Sequence, residues 1–388
     1  MTRIYLDYAA TTPLDPHVAK AMHEAQEHTG NPNSIHQEGQ IMRGFIDQAR
    51  SDIAEVFSCT QEQIVFTPSA TAANNLVLQG VVQRFKKLFP NITPEIIISP
   101  LEHASVYEVA RALERDEEII LTILSVDTNG QISPRKLVEQ ISARTALVSV
   151  QWVNNETGII QPTQEIIKVL HEYRAKHQTV YPFFHTDAVQ GIGHVSLSEI
   201  QGSDFITISA HKLYGPTGVG VLVMLQNPLL DTLVQGGGQE NGWWSGTEST
   251  DRIVGCAEAI KQILKNQDKE TEHLKQLHTY TKEQLQKHIP HIQFYGSDEY
   301  TSPHIVSLYL PGVVRPDIAL DLEGIAVSSG AACSQQSVSP SRVLQALGAS
   351  ITQAQESLRI SFGKQTTKKE IDVLVEKLKL IIENSQKK

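Results

Sequence analysis

Short apolar runs alternate with amphipathic stretches along the chain between residues 64 and 225. Ile64–Thr67, Glu95–Ser99, Ile119–Leu124, Ala146–Val150, Phe183–His185, Phe205–Ile208 and Val219–Met224 have the apolar, β-branched character of buried strands. Helical periodicity fills most of the gaps, at 72–89, 104–115, 134–142 and 163–177. Repeated strand-then-helix order predicts an α/β fold with a mostly parallel seven-stranded sheet and helices on its faces. Ligands of such sheets bind beyond the carboxyl ends of the strands. The polar residues at those ends are therefore the ones to weigh.

A long helical pattern follows, from 251 to 288, apolar at first and then highly charged. It is expected to bridge to a smaller α+β unit with strands at 305–310 and 357–361 and helices at 341–347 and 367–384. The division expected is a large domain over 14–258 and a small one made of 1–13 and 259–388. The 388 residues, 40% of them hydrophobic, suffice for two domains. A net charge of −10 argues against a nucleic-acid footprint. Residues 1–7 lack a signal-peptide layout and no apolar run reaches bilayer length, so no membrane partner and a cytoplasmic location are expected. Cys59, Cys256 and Cys333 have no CxxC spacing, which speaks against a disulfide framework and a zinc site.

The most informative chemical feature is Lys212, in Ser209-Ala210-His211-Lys212 between two apolar strands. Burying an ammonium costs several kcal/mol unless it is neutralised or reacts. A Schiff base with an aldehyde removes that cost, and pyridoxal phosphate (PLP) is the aldehyde that fits the neighbours. Ser69-Ala70-Thr71 leads from a strand into a helix, so its bare N–H groups offer either an anion site or an ordinary cap. Asp187, past an aromatic strand, suits a protonated pyridine nitrogen or a helix cap; metal ligation with His185 lacks a third ligand. His103 could stack on a planar cofactor and exchange protons as a catalytic group, or be a satisfied loop residue, and Asn154 could reach a ring oxygen or a substrate carboxylate, or close an Asx turn. Arg359, on a strand, suits a substrate carboxylate or an internal salt bridge. Cys333 sits in a small-residue, polar loop, read as a mobile and accessible thiol, whereas Cys256 belongs to a helical apolar stretch and reads as core. The glycine-rich loop 236–242 and Thr247 beyond it are either a phosphate contact or a plain connection.

Taken in order, these motifs resemble the cysteine desulfurases, PLP enzymes of the class-V aminotransferase family with fold type I. The resemblance runs from Ile4–Pro13 to Arg359–Gly363, with 30–36, Glu102-His103, 153–156 and 187–190 between. Its most specific parts are 211–216 and 328–333. It implies that Lys212 carries PLP, Asp187 pairs with the pyridine nitrogen and His103 stacks on the ring. Gln190 and Asn154 would serve the ring oxygen. Ala70, Thr71, Ser209 and His211 would hold the phosphate, and Thr247 would reach the phosphate of the opposite subunit of a homodimer. Arg359 would bind the carboxylate of L-cysteine. Lys212 would move the α-proton, and Cys333 would accept sulfur as a persulfide for an iron–sulfur scaffold or another acceptor. A selenocysteine lyase, a cysteine sulfinate desulfinase or a non-catalytic dimeric assembly partner are the alternatives. Five positions depart from the family pattern: Ser69 in place of glycine, Ala72 in place of glutamate, Ala210 in place of glycine, Trp244 in place of arginine, and Gln151 in a stretch that more commonly contains histidine.

Overall fold

The computed structural model describes residues 3–225, 230–289, 291–329 and 340–385; Cys333 lies outside the described residues. The chain opens with strand β1 (Ile4–Tyr5) and two helices, α1 (Pro16–Gln26) and α2 (Gln37–Val56). Asp15 caps α1 by accepting from the His17 N–H, with Pro16 at the first helical turn.

The sheet then forms from β2 (Ile64–Thr67), β3 (Glu95–Ile98), β4 (Ile120–Ile123), β5 (Thr145–Ser149), β6 (Phe183–Asp187), β7 (Phe205–Ser209) and β8 (Gly220–Met224). Its order is β2-β8-β7-β6-β5-β3-β4. Helices α3 (Ala70–Leu88), α4 (Ala104–Arg115), α5 (Pro134–Gln140) and α6 (Thr163–His177) make connections that keep the strands parallel. Only β8 runs against its neighbours. Its link from β7 covers just residues 210–219, too short for a parallel crossover. That reversal places Lys212 in a tight turn at the carboxyl edge of the sheet.

Six of these strands are buried throughout, and the edge strand β4 is partly exposed. Burial on both faces explains why the strands read as continuous apolar runs rather than alternations. Ile64 and Phe66 face one core together with Ile53 of α2 and Ile253 and Ile260 of α7 (Thr250–Lys265). Val65, between them, faces the other with Leu76 of α3 and Val106 of α4.

The pattern expected as one helix over 251–288 is two. Asn266 (φ −105°, ψ 7°) leaves helical geometry between α7 and α8 (Gln267–His288). Beyond it, β9 (Gln293–Phe294), β10 (Ile305–Tyr309) and β12 (Ser357–Ser361) form an antiparallel sheet in the order β12-β10-β9. The short β11 (Ile325–Ala326) pairs in parallel with β1, and Asp7 bridges Ser361. The N-terminal segment is thereby tied to this second sheet. Helices α9 (Pro316–Leu322), α10 (Arg342–Ala346), α11 (Ile351–Gln355) and α12 (Lys368–Ser385) complete the unit. Leu374 and Leu378 of α12 close its core against Leu274 and Leu277 of α8. Among the described residues, no helix is long and apolar enough to cross a membrane, and no cluster of potential metal ligands occurs.

Candidate active site

The carboxyl ends of β2, β3, β5, β6 and β7 lie on one side of the sheet, and there a cleft of about 370 Å³ opens. Ala70, Thr71, His103, Asp187, Gln190, Ser209, His211, Lys212 and Arg359 all line it. Residues from 70 to 212 thus share one wall because parallel strands end together, and Arg359 of β12 reaches the same cleft from the second sheet.

Lys212 Nζ donates to the carbonyls of Ala9 (2.6 Å) and Ala10 (2.5 Å). The ammonium is only partly buried, and the N-terminal segment supplies the oxygens that compensate it. Next to it, His211 Nδ1 contacts Thr11 Oγ1 at 3.1 Å. Burial first, then the Lys212 charge, pushes the imidazole down to about 4, so it is neutral at neutral pH.

Asp187 closes β6 and is buried. Its Oδ1 accepts from the Val189 N–H (3.1 Å), and its Oδ2 accepts from Asn74 Nδ2 (3.0 Å). Asn74 also donates to Ser105 Oγ at 2.8 Å. Sequence reasoning missed Asn74. The signal was present: an amide among apolar residues one turn into α3, at a position that is fully buried.

The amino-terminal end of α3 starts at Ala70, two residues earlier than the periodicity predicts. Ser69 is its cap and accepts from the Ala72 N–H at 3.2 Å. The departure from glycine at 69 therefore still leaves an ordered helix start, while Thr71 remains exposed at it. A side chain at Gly220 of β8 would fall 2.6 Å from the Ser69 carbonyl carbon, so glycine there permits the close approach.

His103 caps α4. Its Nδ1 accepts from the Ser105 N–H (3.1 Å), which assigns the ring hydrogen of the neutral form to Nε2. Glu102 beside it is fully buried, accepts from the Gln151 N–H at 2.7 Å, and is pushed well above the usual carboxylate range by burial.

Arg359 makes the internal salt bridge and also lines the cleft. Its Nη2 pairs with Asp7 Oδ1 (2.6 Å) and its Nη1 donates to the Asn155 carbonyl (2.7 Å). Its Nε is buried and has no partner among the described residues.

Two residues lie elsewhere. Asn154 does not line the cleft: its Oδ1 accepts from Glu156 N, Thr157 N and Thr157 Oγ1, and its Nδ2 donates to the Leu101 carbonyl. It closes its own turn, and Gln151 and Asn155 flank the cleft instead. Thr247 is exposed and borders a separate cleft with Trp244, Thr67 and Arg252. Of the described thiols, Cys256 is fully buried and pushed up to about 12, and Cys59 up to about 11, both by burial. Neither is suited to thiolate chemistry.

The family model for aminotransferase class V matches residues 4–374. The chain belongs to the aminotransferase class-V family. Among relatives in that family, a cysteine desulfurase IscS from Dictyoglomus turgidum is 37% identical over 384 residues, covering 98% of this chain and 94% of its own length. A mitochondrial cysteine desulfurase from Saccharomyces cerevisiae is 36% identical over 381 residues, covering 96% of this chain and 73% of the yeast protein. The solved structure of a NifS-like protein from Rickettsia africae superposes with a TM-score of 0.85 at 29% identity, covering 98% of this chain and 99% of that one.

Proposed function

We propose that the chain is a PLP-dependent cysteine desulfurase: it takes sulfur from L-cysteine, releases L-alanine and carries the sulfur as a persulfide on Cys333. The observation that carries this reading is the convergence, in one cleft, of an amine, a buried carboxylate, a helix N-terminus and a guanidinium. These are the groups that PLP and an amino acid substrate require. Lys212 would hold the cofactor aldehyde, Asp187 its pyridine nitrogen, His103 its ring face and Gln190 its ring oxygen. Ala70, Thr71, Ser209 and His211 would hold its phosphate.

When bound, PLP supplies an electron sink for the carbanion left by loss of the substrate α-proton. Lys212 Nζ takes that proton and holds it beside the Ala9 and Ala10 carbonyls, which stabilise the ammonium. Asn74 and the Val189 N–H keep the Asp187 carboxylate fixed. The Arg359 guanidinium orients the substrate carboxylate, held in place by its bonds to Asp7 and Asn155. The Cys333 thiolate then forms an S–S bond to the substrate sulfur as the Cβ–S bond breaks, and its electron pair leaves with the three-carbon product, which is protonated to alanine. The high-lying thiols of Cys59 and Cys256 favour Cys333 for this step.

The same reading makes the protein a cytoplasmic homodimer in which Thr247 of one copy completes the phosphate site of the other, and makes an iron–sulfur scaffold or another acceptor protein the recipient. One incubation with PLP and L-cysteine tests it. Alanine release with one extra sulfur on the Cys333 peptide is expected; neither product with PLP bound would overturn it.

A further inference from the structure

We infer that His304 is a positioning residue that locks the Gln190 amide into a donor orientation toward the cleft, a role that rests on the cofactor reading above. His304 lies just ahead of β10, in the second unit, and is buried. Gln190 lies on the loop after β6, 114 positions away in sequence.

The direction of every bond between them follows from one atom that can only accept. The Ala9 carbonyl lies 2.8 Å from one end of the Gln190 amide, so that end is Nε2 and the other is Oε1. Oε1 lies 3.0 Å from His304 Nε2, which must therefore carry the ring hydrogen. The opposite ring nitrogen, Nδ1, is left as an acceptor, and Ser302 Oγ donates to it at 2.7 Å. Donation runs from Ser302 through His304 and Gln190 to Ala9, whose carbonyl also receives Lys212 Nζ at 2.6 Å. Reversing the Gln190 amide would set an N–H against the His304 N–H and an oxygen against the Ala9 oxygen.

The surroundings hold His304 neutral, as this arrangement requires. Its ring stacks on His194 at 3.9 Å with planes 17° apart. Burial, then the neighbouring His194, pushes His304 well below its ordinary range; burial pushes His194 to about 4. Gln190 lines the cleft, and its second amide hydrogen has no acceptor among the described residues. By fixing which end of the amide is nitrogen, His304 selects an oxygen acceptor on the bound group, the chemistry of the PLP ring oxygen. The main-chain N–H of Ser302 donates to the Gly158 carbonyl at 2.8 Å, so the donor chain starts from a seated segment.

Two substitutions separate donation from packing. His304→Phe keeps a stacked ring without a donor, and His304→Gln restores an N–H at nearly the Nε2 position. PLP dissociation constants and the visible band of lysine-bound PLP are measured in reconstituted full-length protein. For His304→Phe we expect PLP affinity to fall about tenfold, equivalent to about 1.4 kcal/mol, with a displaced band. His304→Gln should restore both. Wild-type affinity and spectrum in His304→Phe, or equal losses in both variants, would overturn the inference. Should His304→Phe fail to fold, Ser302→Ala removes the group that pins the tautomer: weaker PLP binding supports the role, and unchanged binding and spectrum overturn it. A wild-type protein that shows no band with PLP overturns the cofactor reading itself, and this one with it.

Discussion

Replacing Asn74 by aspartate turns the donor that braces Asp187 into a second carboxylate. The two side chains meet at 3.0 Å, and both are buried. Unit charges about 4 Å apart repel by about 4 kcal/mol at an effective dielectric near 20, which is about 3 pH units of displaced titration. One carboxyl of the pair therefore keeps its proton far above the ordinary aspartate value of about 3.9. Between that value and the raised one, the folded state holds a proton that the unfolded chain has released. Stability then falls as pH rises through this window and levels off once the shared proton is lost. Asn74→Ala removes the same hydrogen bond without adding charge, at a cost of about 1.5–3 kcal/mol. Urea unfolding of the cofactor-free protein between about pH 4.5 and 8 compares the two variants. The gap between them should widen by up to about 1.4 kcal/mol per pH unit. A constant gap across that range would refute the Asn74–Asp187 contact as the brace of this carboxylate.

Three other outcomes follow from the same geometry. Arg359→Lys keeps a charge but loses the fork that spans Asp7, Asn155 and the cleft; KM for L-cysteine should rise at least about tenfold, about 1.4 kcal/mol, with an unchanged PLP spectrum, and an unchanged KM would remove Arg359 from substrate binding. Arg50 and Glu240 form a buried pair at 2.8 Å, so Arg50→Ala should cost about 3–5 kcal/mol in urea unfolding by stranding the Glu240 carboxylate, and a loss below about 1 kcal/mol would show that the pair is effectively solvated. Cys333→Ser should retain bound PLP but yield no protein persulfide by mass spectrometry; extra sulfur on Cys59 or Cys256 would reassign the acceptor.

The sheet was legible because its strands are buried on both faces, which writes them as unbroken apolar runs. The cleft residues were legible because they follow those runs directly, as His103 follows β3 and Asp187 ends β6. Asn154 also follows a strand, yet its amide is consumed by Glu156, Thr157 and Leu101; position at a strand end does not say where a side chain's hydrogen bonds go. The roles of Asn74 and His304 could not be read for the opposite reason, although the buried amide of Asn74 left a trace in its apolar surroundings. Each acts through another residue, Asp187 or Gln190, across a contact that exists only once distant segments are packed. The break at Asn266 lies in a continuous helical pattern, with no proline or glycine to mark it, so periodicity alone runs through it.

The central claim is that Lys212 bonds the cofactor. Borohydride reduction of the PLP-loaded protein, followed by peptide mass spectrometry, tests it most directly. A stable phosphopyridoxyl group is expected on Lys212 and none on the Lys212→Ala variant treated alike. A group found on another lysine, or on no lysine of a PLP-saturated protein, would contradict it.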